Sequence, residues 1–212
     1  MKPYYQDGFA TLYLADSGDL LSGLGTYDLL LTDPPYGLNG GNVGSRSRNY
    51  GPRLWDQVTT PALLAEAIAR CKNAIVFGGN YYQLPPSACW LVWDKEINGQ
   101  WADCELAWTN LLKPARIYRH RWNGFARKNN EPRFHPSQKP VDVMSWCIEE
   151  AGADIRTILD PFAGSGSTLV AAKLRNIKAV GIEREEMYCE IAANRLAQEV
   201  FALTSVPLVG DT

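Results

Sequence analysis

The chain has 212 residues, 46% of them hydrophobic and 21% charged, a globular composition that excludes a largely disordered polymer. No apolar run nears the ~18 residues of a membrane-spanning helix, and the opening MKPYYQDGFA has neither the basic nor the apolar region of an export signal. The formal net charge of -2 argues against a polyanionic partner at first sight, because phosphate contacts need Lys and Arg.

Taken in chain order, apolar runs that stop at turn signals predict strands at residues 11–15 and 27–32. A helix is predicted at 61–71, where Pro61 sits at a first-turn position, followed by strands at 73–77 and 88–93. A helix at 141–151 follows Pro140, a strand follows at 157–159, a helix at 167–175 after a glycine-rich loop, a strand at 178–182 and a last helix at 185–202. Strands that alternate with helices in this way predict an α/β fold: a doubly wound, mostly parallel sheet with helices on both faces, in one domain spanning 1–212. Segments 37–53 and 124–140 resist assignment and read as functional loops, and the residues from Thr204 read as a loose tail.

Basic residues are concentrated rather than scattered. From Lys113 to Lys139 eight Lys and Arg side chains face a single acid, Glu131, and loop 37–53 adds Arg46, Arg48 and Arg53. Both stretches are candidate phosphate-contacting segments. Cys71, Cys89, Cys104, Cys147 and Cys189 show no Cys-x-x-Cys and no Cys/His cluster, so no metal site is expected and the thiols read as reduced core residues of a cytoplasmic protein. Trp90, Trp93, Trp108 and Trp146 fall within strand or helix patterns and are expected in the core, whereas Trp55 and Trp122, near the basic loops, are candidates for base stacking. His135 is expected to make a structural hydrogen bond rather than to act as a base.

Two loops carry the chemistry. In LLLTDPPYG an apolar run halts at Asp33-Pro34-Pro35-Tyr36. The prolines stiffen the backbone, Asp33 and the Pro34 carbonyl can each accept one N–H of a planar amino group, and Tyr36 can stack on its ring. In ILDPFAGSGSTLVAAKLR a strand ending at Asp160 runs through Pro161, Phe162, Ala163, Gly164, Ser165, Gly166, Ser167 and Thr168 into a helix. Gly164 and Gly166 let the backbone approach a ligand, and the helix amino end favours an anionic group. Glu183 ends the next strand, about 20 residues beyond Asp160, where a doubly wound fold grips ribose hydroxyls. The loop is not Gly-x-Gly-x-x-Gly, which points away from NAD and toward another adenosine-containing cofactor.

These residues resemble the β-group amino-methyltransferases of DNA, in which a DPPY segment precedes the FxGxG segment that binds S-adenosylmethionine (AdoMet). The likeness extends over LADSGDLLSGL, FGGNYY, WLVWDKEINGQWADCELAW, HPSQKPVDVM, DPFAGSGST and GIE, in order along most of the chain. It implies the AdoMet-dependent methyltransferase fold with circularly permuted motif order. It further implies that Phe162, Gly164 and Gly166 shape the pocket for the methionine portion, with Asp160 near its amino group. Glu183 would hold the ribose hydroxyls, Asp16 would lie near the adenine, and Ser137, Gln138 and Lys139 would reach the methionine carboxylate. Asp33 to Tyr36 would receive a base flipped out of DNA, for direct in-line methyl transfer without a metal.

Adenine N6 is the favoured target, because Asp at the head of the tetrapeptide resembles the adenine enzymes; cytosine N4 is the alternative, and an inactive DNA- or AdoMet-binding module is the alternative of a different class. Candidate DNA contacts are Arg46, Arg48, Arg53, Arg119, Arg121, Arg127 and Lys128. A homodimer is expected by resemblance alone.

Overall fold

The computed structural model describes residues 1–36, 59–97, 102–122, 134 and 138–203, the side chains of 199–203 excepted. Its first half contains β1 (Tyr5–Gln6), β2 (Ala10–Leu14), α1 (Ser17–Leu20), β3 (Tyr27–Thr32), α2 (Pro61–Ala69), β4 (Cys71–Phe77), β5 (Trp90–Asp94), β6 (Cys104–Thr109) and β7 (Arg116–Arg119). The second half adds α3 (Val141–Ala151), β8 (Thr157–Asp160), α4 (Ser167–Leu174), β9 (Lys178–Glu183) and α5 (Glu186–Leu203). Short 3₁₀ turns occupy Leu21–Gly23 and Gly79–Tyr81. Among the described residues no helix is long and apolar enough to cross a membrane.

The strands form one sheet in the order β1-β2-β9-β8-β3-β4-β6-β5-β7. The central five, β2, β9, β8, β3 and β4, are mutually parallel. Such strands must be apolar on both faces, because crossover helices cover both. In β3, Leu29 and Leu31 join the α3, α4 and α5 side, while Leu30 joins Leu64 and Ala67 of α2 on the other. The expected doubly wound, mainly parallel architecture with helices on both faces is therefore present.

Most predicted elements are found, with shifted ends. The first predicted strand begins one residue earlier, at Ala10, and the strand expected from Asn73 begins at Cys71, which pairs with Tyr27. That pairing also explains why the helix predicted to reach residue 71 stops at Ala69. Thr60 caps its start, its hydroxyl accepting from the Leu63 N–H at 3.3 Å.

Three expectations are corrected. Trp122 is no stacking platform: it is 7% exposed and belongs to the main core. Cys104 is exposed rather than buried, while Cys89, Cys147 and Cys189 are interior thiols. The basic 113–139 stretch is not wholly free for phosphate, for it contains β7, and two of its lysines are committed to protein carboxylates, Lys113 to Glu150 and Lys139 to Asp33 and Glu105.

Candidate active site

The parallel strands end along one edge of the sheet, and there the chain reverses its direction of progress. From β8 it crosses through α4 to β9; from β3 it crosses through α2 to β4 on the opposite side. Between β8 and β3, therefore, the connecting loops part and leave a crevice, the place where open α/β sheets bind ligands. Asp160 ends β8 and Asp33 follows β3, so the two halves of the expected site flank this point. One cleft is lined by Asp33, Gln138 and Lys139 on one side and by Asp160, Phe162, Gly164, Ser165, Ser167 and Thr168 on the other.

The glycine loop is built for close approach. Gly166 caps α4 with φ 79°, a left-handed backbone, and a Cβ there would meet the Ala192 Cβ at 2.9 Å. Gly164, with φ 51°, has open space where a Cβ would stand. Its N–H donates to a Glu183 carboxylate oxygen at 2.8 Å, and the other oxygen accepts from the Glu185 N–H at 2.8 Å. Burial raises the Glu183 carboxyl above its usual range against these two N–H donors. Asp16 stands just past β2, beside β9, where its carboxylate caps α1 by accepting from the Gly18 N–H; next to it, Ser17 donates to the Pro161 carbonyl.

Behind the loop lies Arg195, which no sequence motif marks. It is 8% exposed and donates to the Ser165 carbonyl at 2.7 Å and to the hydroxyls of Ser165 and Ser167 at 3.2 Å each. Asp160, 2% exposed, accepts from the Thr32 hydroxyl at 2.8 Å and the Phe162 N–H at 3.1 Å. Burial pushes its carboxyl up to about 6 despite those donors. An interior carboxylate aimed into the cleft suits a cationic amino group, the left-handed glycines admit a close ligand, and Glu183 offers paired acceptors at the strand tip. This donor and acceptor set fits AdoMet.

The base-receptor half is held by tyrosines. The Tyr36 hydroxyl donates to Asp33, and burial, followed by that nearby carboxylate, raises the phenol well above its ordinary value. The Tyr82 hydroxyl donates to the Pro35 carbonyl at 2.7 Å and reaches the Pro34 carbonyl at 3.3 Å. Tyr81 packs on Tyr36 with ring centroids 4.9 Å apart, and Tyr36 lies directly against Gly78, whose φ is 63°. Tyr81, Tyr82 and Gly78 come from the FGGNYY block, whose role no local pattern in the sequence reveals.

Lys139 is 6% exposed in its side chain, and its ammonium donates to Asp33 and lies 3.1 Å from Glu105. Burial lowers its affinity for a proton, but the two carboxylates overcome this and raise it above the ordinary lysine value. Of the candidate DNA contacts, Arg119 is paired with Asp94 at 3.3 Å and Arg121 is exposed. Arg46, Arg48, Arg53, Arg127 and Lys128, together with Ser137, Trp55 and His135, lie outside the described residues.

A mainly parallel sheet with this cleft, its glycine loop and its acidic strand tips at the switch point has the architecture of an AdoMet-dependent methyltransferase. Solved structures share the architecture: M1.HpyAVI in complex with SAM aligns with a TM-score of 0.60 at 20% identity over 89% of this chain and 99% of that one. The cytosine-N4-specific PvuII DNA methyltransferase aligns with a TM-score of 0.65 at 17% identity over 99% and 91%. By sequence, the Type II methyltransferase M2.LlaDCHI of Lactococcus lactis subsp. cremoris is 27% identical over 92% of each chain, and M2.DpnII of Streptococcus pneumoniae 26% over 93% of each. Residues 85–194, just over half the chain, match the N6/N4 DNA methylase family, and the chain belongs to it. It is a site-specific DNA methyltransferase of the β-group that uses AdoMet as methyl donor.

Proposed function

We propose that the methyl acceptor is the exocyclic N6 of adenine in DNA, received by Asp33, Pro34, Pro35 and Tyr36. The observation that supports an amino acceptor is the placement of the Asp33 carboxylate in the same cleft as Asp160 and the glycine loop, and the choice of adenine rests on Asp at the head of the tetrapeptide. When bound, AdoMet supplies an electrophilic methyl group on a sulfonium, so neither a metal nor a covalent enzyme intermediate is required. The protein's own residues do the rest.

Asp33 and the Pro34 carbonyl accept the two N–H bonds of the target amino group and favour a more tetrahedral nitrogen, with its lone pair freed from the ring. Tyr36, braced by Tyr81, offers the flipped base an aromatic face. Gln138, Asp160 to Thr168, Glu183 and Asp16 form the cofactor side, with Ser137 joining from outside the described residues, while Lys139, expected with them, lines the cleft and pairs with Asp33 and Glu105. Asp at the head of the tetrapeptide supports adenine over cytosine N4. Arg46, Arg48, Arg53, Arg119, Arg121, Arg127 and Lys128 are proposed to hold phosphates, residues 1–212 to act as one domain in the cytoplasm, and the enzyme to pair as a homodimer.

The test is to incubate purified protein with AdoMet and mixed-sequence duplex DNA, digest to nucleosides and identify the product by mass spectrometry. N6-methyladenine supports the reading; N4-methylcytosine refutes the choice of base.

A further inference from the structure

β6 runs against β4 and β5, so its amino end meets the carboxyl ends of the other strands, and Glu105 arrives at the edge that carries the cleft. There the side chains form an alternating file: Asp33, Lys139, Glu105, Lys95. One Glu105 oxygen lies 2.6 Å from the Lys95 ammonium and the other 3.1 Å from that of Lys139, which donates in turn to Asp33. The four side chains are 16%, 6%, 26% and 15% exposed in that order, so water screens them weakly. Each cation also lies over a ring, Lys139 at 5.2 Å from the Phe77 centroid and Lys95 at 5.2 Å from that of Trp93.

A lysine is a point charge on a flexible stem, with no geometry of its own. What aims Lys139 at Asp33 must therefore be its surroundings, and among the ion pairs of the described residues Glu105 is the second carboxylate that holds the ammonium. We propose that Glu105 is a positioning residue for methyl transfer, holding the Lys139 ammonium against Asp33 and thereby fixing the carboxylate that receives the target amino group. The proposal rests on Asp33 as that receptor. It also turns Lys139 toward the base receptor rather than the cofactor carboxylate, since its ammonium donates to Asp33 and is ion-paired with Glu105.

The other groups facing Asp33 are the Tyr36 hydroxyl and, across the cleft, Asp160. Burial pushes the Asp33 carboxyl up, with Lys139 pulling against it and Glu105 adding to it. Glu105 is therefore useful only while Lys139 stands between the two carboxylates; without the cation, it is a like charge close to Asp33.

This predicts a change of sign. Glu105→Gln should slow single-turnover methyl transfer by about ten- to hundredfold, the cost of a slightly misplaced acceptor, with AdoMet affinity within about twofold of wild type. In a Lys139→Met background the same substitution should speed transfer, because it removes the repulsion. Carboxyl NMR titration of the AdoMet-free protein gives a readout apart from activity: the Asp33 midpoint should climb in Lys139→Met and fall back when Glu105→Gln is added. If Glu105→Gln does not fold, Glu105→Met, which also removes the charge at a similar side-chain length, takes its place in the same cycle. Equal losses in both backgrounds, or no loss in either, would overturn the proposal. Asp33→Ala separates the failures: wild-type transfer by that variant removes the receptor itself, whereas its inactivity alongside an additive cycle removes only the role of Glu105.

Discussion

Replacing Gly78 by Ala tests whether the base receptor depends on backbone that lies outside the tetrapeptide. Gly78 has φ 63°, and a Cβ built there would stand 2.1 Å from the Tyr36 Cε1 and 2.4 Å from its Cζ. The left-handed backbone alone costs a side chain about 1–2 kcal/mol. The ring must in addition retreat from 2.1 Å to the 3.4 Å of ordinary contact, about 1.3 Å, and Tyr81 packs on it at 4.9 Å. Because Tyr36 also donates to Asp33, that shift disturbs both the stacking face and the acceptor. A displacement of about 1 Å at reacting groups costs on the order of 100-fold in rate. Gly78→Ala should thus slow single-turnover transfer on duplex DNA about 100-fold while calorimetry finds AdoMet affinity nearly unchanged. Gly25→Ala, where a Cβ meets nothing within 4 Å, is the matched control. Wild-type rates in Gly78→Ala would refute the argument that the Gly78 backbone sets the Tyr36 ring.

Arg195→Met should strip the glycine loop of its support, leaving the Ser165 carbonyl and two hydroxyls without their shared donor. A loss of about 2–3 kcal/mol, read as a Tm lower by roughly 5–10 °C in thermal unfolding, is expected along with weaker AdoMet binding. Asp160 supplies a pH dependence whose sign is fixed by its raised value of about 6. Its contribution to stability is present below the unfolded value of about 4 and is lost as pH rises through about 6, a change of roughly 3 kcal/mol. Relative to wild type, Asp160→Asn should therefore gain stability in the AdoMet-free state between pH 4 and pH 7; a constant difference across that range would show that Asp160 does not titrate as its burial demands.

The parallel half of the fold was legible because its strands are short apolar runs that halt at Pro or Gly. Tyr27–Thr32 stops at Asp33-Pro34-Pro35, and its crossover helix opens with Pro61. β6 and β7 escaped because neither carries such a pattern: Cys104–Thr109 is exposed at one end and buried at the other, and Arg116–Arg119 is largely exposed. They are strands by virtue of their partners, β5 and β4, which is information held elsewhere in the chain. The same limit explains the site. The two loops announce themselves by composition, whereas Glu105, Lys95 and Arg195 matter through partners up to dozens of residues away, and no local spacing links Glu105 to Lys139. Trp122 misled for the opposite reason, sitting among basic residues in sequence but in the core in space.

The most direct test of the central claim is single-turnover methyl transfer by Asp33→Ala on duplex DNA, with AdoMet binding measured by calorimetry on the same preparation. Transfer should fall below detection with AdoMet affinity near that of wild type, because Asp33 serves the base and Asp160, Glu183 and the glycine loop serve the cofactor. Transfer at the wild-type rate, or loss of AdoMet binding in a folded variant, would contradict it.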